Sequence, residues 1–66
     1  MEIIVNGKRR DVTTGGTIAA LVAELGFDTA YLAVEHNGRV LEGSELDGAL
    51  LAQGDKVEIV RLVWGG

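Results

Sequence analysis

Few residues of this chain are of the types that carry out chemistry. Among its 66 residues there is no cysteine and one histidine, His36, which excludes a disulfide framework and a zinc site built from Cys and His. We expect His36 to be an exposed residue at a strand end beside the Asn37-Gly38 turn signal, because no nucleophile or metal ligand accompanies it. The Gly-Gly-Thr segment at 15–17 lacks the lysine and the spacing of a phosphate-binding loop, so we expect any ATP to bind to a partner.

The pair Gly65-Gly66 closes the given sequence and is the strongest candidate for chemistry. At an ordinary glycine content of about 7%, two terminal glycines arise by chance roughly once in 200 chains, and more often in a chain as rich in glycine as this one. A terminal carboxylate, with a pKa of about 3.3–3.7, is an anion at neutral pH and must be activated, for example as an acyl-adenylate, before it reacts. Glycines pass easily through the narrow, water-excluding channel that such an intermediate needs. The residues alone leave open whether this end is reactive or a frayed, functionless terminus.

Two other surface features could serve a partner. Trp64 is either a core residue at the end of the last strand or an exposed anchor, and we favour the anchor because Trp is enriched at interface hot spots. The acidic residues Glu42, Glu45 and Asp47 are more typical of a solvated loop than of a docking patch.

Length and charge exclude several classes of protein. The chain is long enough for one small domain, which must fold by hydrophobic packing and is expected to be marginally stable. Its net charge of −4 argues against a nucleic-acid partner, and the short basic run at 8–10 is expected to be an exposed strand. The sequence contains no run of 18 apolar residues, so no membrane span is predicted. The start of the chain does not resemble a signal peptide, so we expect a cytoplasmic protein.

The first elements should form a hairpin. Residues 2–6 have the pattern of a strand, and Asn6-Gly7 is a strong signal for a two-residue turn. The returning strand is predicted over 8–13, with Val12 on its buried face.

A helix is predicted next, over 18–25. Thr17 is a suitable N-cap, and Gly26 lies where a left-handed C-terminal cap belongs. One apolar stripe follows the helical period, formed by Ile18, Leu21, Val22 and Leu25.

The second half of the chain alternates strand patterns with turn signals. In order, it is predicted to contain a strand over 31–36, an Asn37-Gly38 turn, a strand over 39–41, one helical turn near 46–50, a Gly54-Asp55 turn and a strand over 56–63. The last strand is rich in Val and Ile, so we place it inside the sheet. This order predicts an α+β fold of the β-grasp type, a mixed sheet of four or five strands with one main helix across one face. The expected core comprises Ile3, Val5, Leu21, Leu25, Val57 and Ile59.

Three motifs occur along the chain in a familiar order. They are a helix start at Gly16-Thr17-Ile18 followed by Leu21 and Leu25-Gly26, a hairpin AVEHNGRV over 33–40, and the segment LAQGDKVEIV over 51–60. With the closing glycines they resemble the motifs of ThiS-type sulfur carriers, ubiquitin-like proteins of the ThiS/MoaD superfamily that serve thiamine biosynthesis. Two positions depart from that family. Trp64 stands where relatives usually have a small residue, and Glu42-Gly43 where many have Pro-Arg.

The resemblance implies a function centred on Gly66. In such carriers a ThiF-type adenylyltransferase uses ATP to adenylate the terminal glycine, and sulfur from a donor such as a cysteine desulfurase converts it to a thiocarboxylate (1-thioglycine). A thiazole synthase of the ThiG type then receives the sulfur. Gly65 and Gly66 would thread into the partner's active site as part of a flexible tail over 64–66 of a single domain spanning 1–66, with Trp64 as a docking residue. The chain itself would be no enzyme and would bind no cofactor.

Because the chain has no Cys, sulfur could not be held as a side-chain persulfide, which leaves Gly66 as the site. Other functions stay open beside the thiamine carrier. One is a related carrier for molybdopterin or another acceptor, although the absence of Pro favours the thiamine branch. Another is a protein modifier conjugated to lysines through Gly66, which would also begin with adenylation. The last is a passive β-grasp binding module with incidental glycines.

Overall fold

Five strands and two helices follow one another in the computed structural model, which describes residues 1–12, 16–28 and 31–62. In chain order they are β1 (Glu2–Val5), β2 (Lys8–Asp11), α1 (Ile18–Glu24), β3 (Leu32–His36), β4 (Arg39–Leu41), α2 (Glu45–Gly48) and β5 (Lys56–Arg61). The strands lie in the order β2-β1-β5-β3-β4. Strand β5 runs parallel to β1 and antiparallel to β3, and both outer pairs are antiparallel hairpins. The predicted mixed sheet, with its last strand inside, is confirmed.

Both Asn-Gly pairs form tight turns. Asn6 and Gly7 have φ values of 50° and 80°, and Asn37 and Gly38 have φ values of 50° and 89°. Positive φ at both central positions defines the type I′ turn, whose twist matches that of the two flanking strands. Asn and Gly tolerate this left-handed conformation better than other residues, which is why the sequence signal was reliable here.

Helix α1 begins and ends with the caps that the sequence predicted. The Thr17 hydroxyl accepts a hydrogen bond from the Ala20 N–H at 3.1 Å. At the other end Gly26, at φ 86°, donates to the Ala23 carbonyl at 3.0 Å, and the Phe27 N–H donates to the Val22 carbonyl at 3.1 Å. This pair of bonds is a Schellman cap, and it fixes the position of Phe27 just beyond the helix.

The core lies between α1 and one face of the sheet, here called the helix side. The predicted helix stripe is confirmed at Ile18, Leu21 and Val22, all of them buried. The whole set of buried apolar residues is Ile3, Val5, Val12, Ile18, Leu21, Val22, Leu32, Val34, Leu41, Leu46, Leu51 and Val57.

Two residues correct the predicted core. Leu25 and Ile59 are only partly buried, although they pack against the core cluster. Since α1 ends at Glu24, no further turn of this helix covers the end of the sheet where they lie. The predicted helix therefore extended one residue beyond the observed end of α1, to Leu25.

Other predicted boundaries shift by one or two residues. The strands predicted over 2–6, 8–13 and 31–36 are β1, β2 and β3, and the helical turn predicted near 46–50 is α2 at Glu45–Gly48. The last strand ends at Arg61 instead of residue 63, and residues 13 and 63 lie outside the described part of the chain.

Truncation of Leu21 tests this packing. Leu21 is 3% exposed, so Leu21→Ala should lower the free energy of unfolding by about 2–5 kcal/mol, measured by urea denaturation. The matched control is Leu50→Ala, because Leu50 is 70% exposed and its truncation should change stability by less than about 0.5 kcal/mol. A loss below about 1 kcal/mol for Leu21→Ala would show that α1 packs elsewhere.

Candidate functional site

The residues predicted to do chemistry or to dock, Trp64, Gly65 and Gly66, lie outside the described part of the chain. The structure does describe strand β5, which leads to them. Beyond the strand, the Leu62 N–H donates to the Tyr31 carbonyl at 2.8 Å, which extends the pairing of β3 with β5 by one residue. The residues that follow Leu62 therefore start from a hydrogen-bonded position next to β3.

The face of the sheet opposite α1, here called the open face, carries exposed apolar side chains. Val40 and Val60 are 60% and 53% exposed. Strand register places Val60 opposite Ala33 on the neighbouring strand, and Val40 opposite Glu35. Val60 lies on an inner strand and Val40 on the edge strand β4, and exposed apolar groups rimmed by polar residues are typical of a docking surface.

Two carboxylates oppose each other on the same face. Glu35 pairs in register with Glu58, and both side chains are exposed. Like charges directly opposite each other on neighbouring strands destabilise a sheet, by up to about 1 kcal/mol. A cation supplied by a partner would relieve that repulsion. The open face therefore combines an apolar patch with an excess of negative charge next to the strand that leads to the tail.

His36 is not the exposed, unpartnered residue that the sequence predicted. Its side chain is 17% exposed, and its Nε2 atom lies 2.7 Å from Oδ2 of Asp55. An ionised carboxylate only accepts hydrogen bonds, so Nε2 carries the hydrogen in this contact. Asp55 is itself buried, at 8% exposure, and also accepts from the Asn37 side-chain amide at 3.0 Å and the Ala52 N–H at 2.8 Å.

This cluster fixes the start of β5. The Asn37 side-chain oxygen accepts from the Lys56 N–H at 2.8 Å, and the Asn37 N–H donates to the Lys56 carbonyl at 2.9 Å. The second hairpin turn is thereby tied to the first residue of the last strand. All buried side-chain polar atoms that the structure describes have a hydrogen-bond partner, so the buried bonds of the cluster are satisfied within the fold. We interpret it as structural.

Sequence reasoning missed this cluster because its members are distant in the chain. His36 and Asp55 are 19 residues apart. The usable signal was Asp55 itself, an acidic residue placed directly before the strand that lies inside the sheet. Such a group requires partners, and register brings the end of β3 beside the beginning of β5.

The environment of Asp55 lowers its pKa. Burial of the carboxyl group raises the pKa, but the hydrogen bonds from His36, Asn37 and the Ala52 amide outweigh burial and leave the pKa below its ordinary value of 3.8. The ionised form of Asp55 therefore stabilises the fold.

The remaining predicted features have structural roles or face solvent. Glu42, Glu45 and Asp47 are exposed, as predicted for a solvated loop, and Glu45 accepts from the Glu42 N–H at 3.2 Å. The basic run at 8–10 forms the exposed edge strand β2. In residues 1–12, 16–28 and 31–62, no three acidic or histidine side chains are placed to hold a metal ion. The same residues contain no helix that is long and apolar enough to cross a membrane.

A mixed sheet with its last strand inside and one main helix across one face is the β-grasp fold of ubiquitin-like proteins. The sequence profile of the ThiS family matches residues 3–66. The chain belongs to the ThiS family.

Solved structures agree with this assignment. A crystal structure of a thiamine biosynthesis protein (ThiS) from Geobacter metallireducens has a TM-score of 0.84 and 35% sequence identity, and the match covers 100% of both chains. An NMR solution structure of a thiamine biosynthesis protein from the same organism has a TM-score of 0.81 and 33% identity, over 100% of this chain and 88% of the other.

Two curated relatives are considerably longer. The proteins named thiazole synthase from Paramagnetospirillum magneticum and Magnetococcus marinus are 36% and 32% identical over 66 residues. Each match covers 100% of this chain and 20% of the relative. The chain thus spans about a fifth of the length of these relatives.

The Asp55 cluster generates a prediction about pH. Because the folded-state pKa of Asp55 lies below 3.8, its stabilising contribution is present above that pH and is lost as the pH falls through the folded-state value. Asp55→Asn should cost about 1–3 kcal/mol at pH 7, and its stability should then fall less steeply in acid than that of the wild type. Urea denaturation between pH 7 and about pH 2.5 measures both effects.

Asp11→Asn is the matched control, since the Asp11 side chain is 91% exposed. It should follow the wild-type pH profile closely. Parallel profiles for the wild type and Asp55→Asn would show that the carboxylate of Asp55 does not stabilise the fold.

Proposed function

We propose that this chain is a sulfur carrier for thiazole formation in thiamine biosynthesis, and that its reactive group is the carboxylate of Gly66. Membership of the ThiS family supports the class of function. The names of the relatives, a thiamine biosynthesis protein and thiazole synthases, support the pathway. The chain acts as a co-substrate of partner enzymes, and it contributes a docking surface and a reactive tail.

The chemistry proceeds at the terminal carboxylate in successive steps. An oxygen of the Gly66 carboxylate attacks the α-phosphorus of ATP on a ThiF-type adenylyltransferase, and pyrophosphate leaves. The terminal sulfur of a persulfide on a donor such as a cysteine desulfurase then attacks the acyl carbon, AMP leaves, and an acyl disulfide forms. A thiol of a partner enzyme attacks the donor-side sulfur of this disulfide, so the S–S bond breaks, the carrier leaves as the thiocarboxylate, and the two partner sulfurs are oxidised to a disulfide. A ThiG-type thiazole synthase consumes the thiocarboxylate. Because the chain has no cysteine, none of its side chains can hold this sulfur as a persulfide.

The observation that carries the proposal is the path of β5. Its outward residues Glu58 and Val60 belong to the open face, and the same strand leads within a few residues to Gly65-Gly66. A partner that binds the open face therefore also fixes the position of the end of β5, from which the tail continues. From Leu62 the four remaining residues span up to about 14 Å, which is enough to enter an active site next to the docking surface.

Docking must also offset the cost of ordering the tail. Gly has more backbone freedom to lose than any other residue, so threading Gly65-Gly66 into a channel is unfavourable by itself. The open face can supply the compensating free energy through burial of Val40 and Val60 and through pairing of Glu35 and Glu58 with cations of the partner. In this proposal Trp64 adds a further apolar contact beside the channel.

The length of the curated relatives suggests a second arrangement, in which the carrier is one segment of a longer chain. The match covers 20% of proteins named thiazole synthase, so a carrier segment can form part of a longer chain in those proteins. If Gly66 were followed by further residues here, it would have no free carboxylate. Intact mass of the protein isolated from its natural source distinguishes the two, since this sequence alone has a mass of 7.0 kDa.

Deletion of Gly66 tests the proposed reactive group. Removing one residue draws the carboxylate back by up to about 3.5 Å, out of the partner's catalytic position. Adenylation, followed as ATP–pyrophosphate exchange with the activating enzyme, should be abolished while the thermal melt stays almost unchanged. Trp64→Ala is the comparison variant, because it should weaken partner affinity yet leave the reactive group in place. Adenylation of the Gly66 deletion at the wild-type rate would overturn the carrier function and favour a passive binding module.

A charge reversal tests docking on the open face. Glu58→Lys places a cation opposite Glu35, so it should raise the free energy of unfolding by about 0.2–1 kcal/mol. The same change should raise the KM of the activating enzyme for this protein by about tenfold, because it removes a charge that the partner recognises.

Glu24→Lys is the matched control. Glu24 is exposed on α1, and its substitution changes the net charge by the same amount as Glu58→Lys. It should leave the KM within about twofold of the wild-type value. Equal effects of the two substitutions would show that the open face is not the docking surface.

A further inference from the structure

The strand register gathers basic residues on the helix side of the sheet. Lys8 pairs with Val5, and Arg61 pairs with Leu32, and both of these apolar partners are buried. Paired residues on neighbouring strands point to the same face, so Lys8 and Arg61 project toward the helix side. Arg10 lies two residues beyond Lys8 on β2 and shares its face. All three cations lie where α1 does not extend over the sheet.

These cations border an apolar groove centred on Phe27. A cleft of about 510 Å³ lies between Phe27 and the end of β5, where Asp28, Tyr31 and Leu62 also line it. A second cleft of about 330 Å³ lies between Phe27 and β2, and its walls include Leu25. We call the two clefts together the Phe27 groove. The Schellman cap of α1 fixes the backbone position of Phe27, which lines both clefts.

Two cations of the Phe27 groove, Lys8 and Arg10, have no ion pair within the described ranges. There, the ion pairs join the N-terminus to Asp11 and His36 to Asp55, and neither involves Lys8 or Arg10. Arg61 lies over the Phe27 ring, 5.1 Å from its centroid. Two cations without an ion pair, beside an apolar cleft with no carboxylate in its described lining, are unexpected in a chain whose net charge is −4.

We propose that the Phe27 groove is a second interaction surface, and that it binds a segment of a partner protein in which a large apolar side chain is flanked by carboxylates. The apolar side chain packs against Phe27 and Leu25, and the carboxylates pair with Lys8 and Arg10. This assignment rests on charge complementarity, because Lys8 and Arg10 border the cleft between Phe27 and β2, and the described lining of that cleft contains no carboxylate. A peptide of this composition gains both apolar burial and charge pairing at one place.

The inference goes beyond the proposed function, because the groove and the open face lie on opposite sides of one sheet. A partner on the open face leaves the Phe27 groove accessible. Two proteins could therefore hold this chain at the same time, one through the open face and one through the groove.

A peptide titration tests the proposal without any carrier chemistry. The probe is a short synthetic peptide with one phenylalanine between aspartates, and the control peptide has lysines in place of the aspartates. In two-dimensional NMR spectra of the 15N-labelled protein, the acidic peptide should shift the amide signals of Lys8, Arg10, Leu25 and Phe27. The basic peptide should leave them in place. Shifts confined to the open face, at Glu35 and Val60, or no shifts with the acidic peptide, would overturn the proposal.

Adjacent residues of β2 provide a matched pair of variants. Arg10→Glu reverses a charge on the helix side, whereas Arg9→Glu makes the same change on the open side, where Arg9 pairs with Ile4. Both arginines are exposed, so both variants should fold, which thermal melts verify. Arg10→Glu should weaken binding of the acidic peptide by about tenfold at low salt, and Arg9→Glu by less than about twofold.

Two results would contradict this assignment. Equal weakening by Arg9→Glu and Arg10→Glu would show that only the overall charge matters. Shifts at Phe27 that grow with protein concentration in the absence of peptide would assign the groove to a second copy of the chain. Because neither measurement involves ATP or sulfur, failure here leaves the proposed carrier function unaffected.

Discussion

The position of β5 inside the sheet is the constraint on which the rest of the structure depends. This strand pairs with β1 on one side and β3 on the other, so it joins the two hairpins into one sheet. Its start is fixed by the buried carboxylate of Asp55, which binds His36 and Asn37 in the second hairpin. A side chain whose ionised form needs several donors cannot move without leaving a buried charge unpaired. The cluster therefore holds the register of the strand that leads to the tail.

Register in turn decides what each face presents. Because strand residues alternate between faces, a shift of one residue would exchange them. In the observed register, Val57 completes the core while Glu58 and Val60 face the open side. The helix side keeps a groove bordered by cations, because α1 ends at Glu24 and leaves this end of the sheet uncovered. The register of β5 and its neighbours thus produces two surfaces of opposite charge, the open face and the Phe27 groove.

Local signals made much of the fold predictable from sequence, and the site residues only in part. The Asn-Gly turns, the Thr17 cap and Gly26 each depend on the conformational preference of one or two residues, so they could be read directly. The contact of His36 with Asp55 could not, because it forms only after two distant strands pair. The burial of Leu25 was overestimated because periodicity does not report where a helix leaves its sheet. Gly65 and Gly66 were identified by their position and by family resemblance, and their role stays a prediction.

We propose that Gly66 carries the sulfur, and intact mass spectrometry can detect that sulfur on the protein itself. The protein is incubated with its activating enzyme, ATP and a sulfur donor, and its C-terminal peptide is then sequenced by tandem mass spectrometry. We expect a mass gain equal to the difference between sulfur and oxygen, confined to Gly66 and dependent on ATP. Higher-mass conjugates to lysines of other proteins would instead indicate a protein modifier. An unchanged mass, under conditions in which a ThiS-type carrier is converted, would show that Gly66 does not carry sulfur.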